Sequence, residues 1–215
     1  LERVKKSLNL PDTSVLTLPI DMLRPEEFAA KTKTVLDFFG QIDVLVPNAG
    51  VSQRERFLDV APADFKKLMD TNFTSVVLLT REVLPHLVAQ KSGGILVTSS
   101  VSGKIGTSYR SFYCASKHAV DALSKAMRID LLPHRIKVTA INPGMVETEF
   151  SIVRFDGDAD RASKVYHGMQ PLTPEDIAET IYWTACRPAH VNINDIIIMP
   201  AVQATATNVI RENHA

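Results

Sequence analysis

Residues 94–117 read GILVTSSVSGKIGTSYRSFYCASK, and this stretch decides the fold. Its opening run, 94–99, is short, apolar and rich in β-branched residues, the pattern of a strand buried on both faces. A polar loop follows, and 112–132 then has the spacing of a helix, so the chain passes from strand to helix. Tyr113 and Lys117 stand at i and i+4 of that helix and share a face. A phenol titrates near pH ~10, and a fixed cation beside it stabilises the phenolate. On that ground Tyr113 is a candidate general acid/base, Lys117 its cation, and Ser100, at the strand's end, a hydroxyl placed to steady a substrate oxygen.

The same alternation extends in both directions. Towards the N-terminus, 42–46 is a short apolar strand followed by Asn48-Ala49-Gly50. Residues 62–90 are helical, with Asn72 inside and Pro85 expected to bend or end the run. Residues 15–20 are predicted to form another strand. Pro25-Glu26-Glu27 opens a helix that ends near Gly40, with acids at its positive end. Leu1, Val4 and Leu8 fall at helical spacing, so the chain opens in an amphipathic helix. Towards the C-terminus, 136–141 is a strand ending in Asn142-Pro143-Gly144. Pro174-Glu175-Asp176 starts a helix to about 186, and 195–199 is a final strand, after which a polar tail is expected to be mobile or to wrap a neighbour. The polar stretch 147–170 departs from the pattern and is expected to form a lid over the site. Apolar strands separated by helices predict one α/β domain, a doubly wound parallel sheet of Rossmann type. Ligands of such sheets bind beyond the carboxyl ends of the strands, and every candidate residue lies there or in the following helix.

Composition limits the function classes. The chain of 215 residues has 24 basic and 24 acidic residues, so no net field recruits nucleic acid or an anionic membrane, and a small-molecule partner is favoured. Its two cysteines, Cys114 and Cys186, offer neither paired zinc spacing nor a disulfide framework, which suggests a reducing, cytoplasmic setting. Cys114 beside Tyr113 reads as packing rather than as a redox switch. The run Asp156-Gly157-Asp158-Ala159-Asp160 imitates a calcium loop, but Arg161 stands where glycine is required. His118, His134 and His190 have no metal-ligand spacing, and no metal is expected. Arg154, in the lid, is a candidate bidentate partner for a substrate carboxylate; Arg54 and Arg56 have weaker claims.

Taken together, Asp21, Asn48-Ala49-Gly50, Asn72, Ser100, Tyr113 with Lys117, and Pro143-Gly144 with Thr148 resemble the short-chain dehydrogenase/reductase family over essentially the whole chain. Near the C-terminus, Val153-Arg154-Phe155, Leu172-Thr173-Pro174-Glu175-Asp176 and the run 188–194 look like the NADP-dependent 3-hydroxy acid dehydrogenases of serine or allo-threonine. Val51-Ser52-Gln53-Arg54 looks as much like carbonyl and steroid reductases. The resemblance implies an oxidoreductase that exchanges a hydride between NADP(H), with NAD as an alternative, and an alcohol or carbonyl. Catalysis would fall to Asn72, Ser100, Tyr113 and Lys117. Tyr113 would carry the proton, Lys117 hold the nicotinamide ribose, and Asn72 bind a water linking Lys117 to solvent. Asp21 and Met22 would meet the adenine, and Asn48, Ala49 and Gly50 the adenosine ribose. Pro143, Gly144, Met145, Val146 and Thr148 would line the nicotinamide side. The substrate would meet Ser100, Tyr113 and Arg154, and the family is commonly a homotetramer or homodimer.

Two departures stand against this pattern. Pro47 replaces the family's usual asparagine and removes a backbone donor. The glycine-rich phosphate loop and the strands around it are not found. The expectation is therefore a domain over 1–215 that lacks its N-terminal strand-loop-helix-strand, roughly 35 to 45 residues by ordinary domain size. A noncatalytic, truncated relative of the family is the competing reading.

Overall fold

The computed structural model describes residues 1–155 and 157–212. Four parallel strands form the sheet, in the order β1-β2-β3-β4: Val44–Leu45, Gly94–Thr98, Lys137–Pro143 and Asp195–Ile198. Ile95 pairs with Val138, and Ala140 with Asp195. Helices α1 (Glu2–Ser7) and α2 (Phe28–Phe39) precede β1. Between β1 and β2 run α3 (Pro62–Met69), a π-helical turn (Asp70–Thr74) and α4 (Ser75–Gln90). Helix α5 (Ser111–Asp130) crosses from β2 to β3. Two short helices, α6 (Glu149–Arg154) and α7 (Ala159–Ser163), and then α8 (Pro174–Ala185) lead to β4.

The central strands are the continuous apolar runs of the sequence because both of their faces are covered. Ile95, Val97 and Val138 pack with Val76, Val83 and Leu87 of α4 and Val120 of α5. The alternate residues Leu96 and Ile141 point the other way and are also excluded from water. Burying each such side chain contributes about 1.5–3 kcal/mol, and this core fixes where the strand ends lie. Helix α8 is set by a capping box: Thr173 Oγ1 accepts from the Asp176 N–H, and Asp176 accepts from the Thr173 N–H at 2.7 Å.

Several expectations change. Residues 15–20 are not a strand, and they are mostly half-buried. Their β-branched composition suits a pleated surface, but a strand needs a neighbour to receive its backbone groups. Pro85 does not end its helix, since α4 continues to Gln90 with Leu87 fully buried beyond it. The apolar face of α1 stays open, with Leu1, Val4 and Leu8 all exposed. The tail is docked rather than loose: the Glu212 N–H donates to Gly168 O at 2.7 Å, and Arg211 donates to the carbonyls of Val165 and His167. Asp156 lies outside the described residues.

Candidate active site

The site forms where the carboxyl end of β2 meets the first turns of α5. The ladder continues past the strand, with the Ser99 N–H donating to Ile141 O at 2.7 Å. Ser100 is extended and caps a 3-10 turn, Val101–Gly103, by accepting from the Ser102 N–H at 3.1 Å. Two bonds then stitch β2 to α5: Lys117 Nζ donates to Thr98 O at 2.9 Å, and Ser99 Oγ donates to Lys117 O at 3.2 Å. Farther out, Lys104 bridges Asp121 of α5 and Asp195 of β4.

The π-helical turn places Asn72 in the same region, fully buried. Its amide accepts from the Val51 N–H at 2.8 Å and donates to Val51 O at 2.9 Å and Ser116 Oγ at 3.1 Å. Asn72 thus ties the loop after β1 to α5. A Cβ on Gly50 would lie 3.4 Å from Asn72 Oδ1 and 3.6 Å from Lys117 Nζ.

Tyr113 and Lys117 are both buried, at 7% and 5% exposure, which decides their titration. Burial pushes the Lys117 ammonium down to about 8. It pushes the Tyr113 phenol up, while the Ser100 hydroxyl and the guanidiniums of Arg110 and Arg154 pull it back down. The ammonium of Lys117 sits 5.9 Å from the centre of the Tyr113 ring and is anchored on Thr98 O. Arg110 and Arg154 thus add their field at the phenol to that of the Lys117 ammonium, to which the helix spacing alone pointed.

A cavity of about 570 Å³ gathers most of the remaining candidates. Asn48, Ala49 and Gly50 form one wall, Ser100, Tyr113 and Lys117 the floor, and Pro143, Gly144, Val146 and Thr148 another wall. Met145 faces the adjoining cleft instead, with Arg54, Ser100 and Arg110. Asp21 and Met22 line neither; Asp21 accepts from the Leu23 N–H in a local turn. Arg154 ends α6, and its Nη2 donates to Ser151 Oγ at 2.9 Å. Its Nε is buried with no partner, and burial together with Arg110 lowers the guanidinium to about 10. Residues 147–155 and 157–170 fold into α6, α7 and their connections, and a bridge between Val146 and Leu172 joins the two ends of the segment.

Sequence reasoning missed two contributors. Arg110 is the N-cap residue of α5, outside the predicted helix of 112–132, so helical spacing did not reach it. Gln203 had no signal either: it lies in the tail, yet it is buried and its Oε1 accepts from the Met145 N–H at 2.8 Å.

The pocket fits the nicotinamide half of a dinucleotide. Lys117 uses one of its three donors on Thr98 and has others for ribose hydroxyls, and the glycine at position 50 leaves the wall open.

The chain is similar to known proteins along most of its length. The sequence profile of the family described as short chain dehydrogenase matches residues 1–158. An NADP-dependent 3-hydroxy acid dehydrogenase of Schizosaccharomyces pombe is 35% identical over 214 residues, covering 99% of this chain and 83% of that protein. A serine 3-dehydrogenase of Agrobacterium fabrum is 40% identical over 177 residues, covering 79% of this chain and 68% of its own. Among solved structures, the closed form of serine dehydrogenase complexed with NADP+ superposes with a TM-score of 0.86 at 35% identity, covering 98% of this chain and 86% of the other.

Proposed function

The chain belongs to the short chain dehydrogenase family, a family of oxidoreductases, and we propose that it is an NADP-dependent dehydrogenase of 3-hydroxy acids with Tyr113 as its general acid/base. The observation that supports this reading is the half-buried Arg154 guanidinium, whose buried Nε has no hydrogen-bond partner, with a charge whose field reaches the Tyr113 phenol. A carboxylate two carbons from the reacting carbon would meet that guanidinium while its hydroxyl meets Tyr113.

Bound NADP supplies a hydride acceptor, or in the reverse direction a donor, at its nicotinamide. The protein supplies orientation, one proton and a hydrogen bond to the reacting oxygen. Ser100 steadies the substrate oxygen. Tyr113 takes the hydroxyl proton as the alcohol becomes a ketone or aldehyde, and returns it during reduction. Lys117 holds the ribose and accepts or gives a proton readily, since burial brings its titration near neutrality. Asn72 keeps the loop after β1 and helix α5 at a fixed separation. Residues 147–170 act as the lid that carries Arg154 to the substrate. A homodimer or homotetramer is part of the reading, burying exposed apolar residues such as Tyr182, Trp183 and Ile197.

Fluorescence titration with NADPH and NADH tests the cofactor, and tight NADPH binding is expected. Arg154→Ala should raise KM about tenfold or more for 3-hydroxy acids and leave KM for neutral ketones near wild type. Equal effects on both substrate classes would remove the carboxylate from the reading.

A further inference from the structure

A chain of hydrogen bonds inside the lid joins Arg154 to the wall of the nicotinamide cavity; this inference rests on the reading of Arg154 as the carboxylate anchor. Arg154 Nη2 donates to Ser151 Oγ at 2.9 Å, three residues back on α6. Ser151 Oγ lies 2.7 Å from the Tyr166 hydroxyl, which in turn donates to Val146 O at 2.7 Å. These contacts fix the protons. A phenol has a single O–H, and Tyr166 spends it on a carbonyl that can only accept, so the Ser151 hydroxyl donates to Tyr166 and accepts from Arg154. The chain therefore runs one way, from guanidinium to backbone carbonyl, and each link polarises the next.

Both ends of this chain are held. Val146 lines the nicotinamide cavity, and its neighbours are pinned to Leu172: the Leu172 N–H donates to Met145 O at 3.0 Å, and the Glu147 N–H to Leu172 O at 2.9 Å. The carbonyl of Val146 takes no part in that bridge and is the one that meets the phenol. The tail grips Tyr166 through its backbone. Arg211 donates to Val165 O at 2.9 Å and to His167 O at 2.5 Å, the carbonyls on either side of Tyr166. The same tail holds the Met145 N–H through Gln203 Oε1, so the wall and the phenol share one support. Ser151 in the middle is buried, where water competes poorly for its hydroxyl.

An arginine side chain is long and rich in rotamers, and holding its fork in place beforehand lowers the ordering cost of binding a carboxylate. Here the point of reference is the nicotinamide wall. The reacting carbon must sit beside the nicotinamide while the carboxylate, two carbons away, sits on Arg154, so the separation of Arg154 from that wall measures the substrate. We infer that Tyr166, acting through Ser151, is a positioning residue that sets Arg154 against the nicotinamide wall and thereby gives the site its selectivity for 3-hydroxy acids.

The test uses the full chain at saturating cofactor. It compares kcat/KM for 3-hydroxypropanoate and L-serine, with NADP+, against kcat/KM for a neutral ketone, with NADPH. Tyr166→Phe keeps the ring and removes the hydroxyl, and it should lower the acid-to-ketone ratio about three- to tenfold for both acids, chiefly through KM. Arg154→Ala should lower the ratio at least as far, and adding Tyr166→Phe to it should lower the ratio no further. Ser151→Ala interrupts the same chain; it carries the same expectations if Tyr166→Phe fails to fold. A Tyr166→Phe variant that keeps the wild-type ratio, or that loses acid and ketone turnover equally, overturns the inference while the Arg154 reading stands. So does a full effect of Tyr166→Phe in the Arg154→Ala background, since the phenol would then act by another route. An unchanged ratio in Arg154→Ala would sink the underlying reading, and the inference with it.

Discussion

Gly103→Ala tests whether the end of β2 and helix α5 are rigidly joined. A Cβ built on Gly103 would lie 2.8 Å from Lys117 O, 3.0 Å from the Lys117 carbonyl carbon and 2.9 Å from Ser99 Oγ. Those separations are roughly half an ångström or more short of ordinary contact, and two of the three atoms are backbone. Gly103 is buried, so the added methyl cannot turn outwards. Either α5 retreats at Lys117, or the turn Val101–Gly103 swings and takes Ser100 with it. Each movement strains the Ser99–Lys117 bond and the Lys117–Thr98 bond. Overpacking of this kind costs about 1–3 kcal/mol, which for a chain of this size lowers Tm by roughly 2–10 °C. Displacing Ser100 relative to Tyr113 by a fraction of an ångström should cost about 10- to 100-fold in kcat, with little change in KM for NADP. Calorimetry and steady-state kinetics on the variant measure both quantities. Gly106→Ala is the control, because a Cβ there meets nothing within 4 Å, and it should match the wild type. Wild-type Tm and kcat in Gly103→Ala would refute the idea that this contact sets the catalytic spacing.

Three further outcomes are expected. Tyr113→Phe should lower turnover about 10²- to 10⁴-fold while NADPH affinity, read by fluorescence, stays near wild type; comparable turnover would end the acid/base assignment. In the wild type, burial holds the phenol protonated at neutrality, so alcohol oxidation should speed up as pH rises, and Arg110→Met, which removes a cation that pulls the phenol down, should move that rise to higher pH. The third concerns Lys117, whose folded value of about 8 lies below its ordinary 10.5. Between those values the unfolded chain binds more protons than the folded one, so stability rises with pH across this window. Between pH 7.5 and 10 the gain attributable to Lys117 is about 2 kcal/mol, and denaturant midpoints of wild type and Lys117→Met measured at those two pH values should differ in their pH dependence accordingly. Parallel pH dependence of the two proteins would show that the ammonium is not desolvated.

The parts of the fold that were legible in sequence were those decided by burial. Strands β2 and β3 carry apolar runs because both faces are covered, and Thr173 to Asp176 announces α8 by local hydrogen bonding alone. Residues 15–20 carry the same β-branched signal, but pairing is a property of two segments and one of them cannot specify it. Tyr113, Lys117 and Ser100 were found because a helix repeat and a strand end fix their relation. Their electrostatics were less accessible: Lys117 is anchored on Thr98 O, and charges from Arg110 and from Arg154 of a different element also act on the phenol. Gln203 acts over 58 residues of separation, and no periodicity carries that information.

The π-helical turn at Asp70–Thr74 has a consequence for how this chain can change. Such a turn accommodates an extra residue within an otherwise α-helical course, so excising one residue would leave two well-formed helices joined without interruption. The two halves would keep their mutual orientation, because a π turn spends one more residue than an α turn on about the same rotation. Val76, Val83 and Leu87 would stay in the core, while the residues inside the turn would shift and the Asn72 amide would leave Val51 and Ser116. The extra residue thus serves the site and not the helix, and its loss would silence one contact while leaving the scaffold whole.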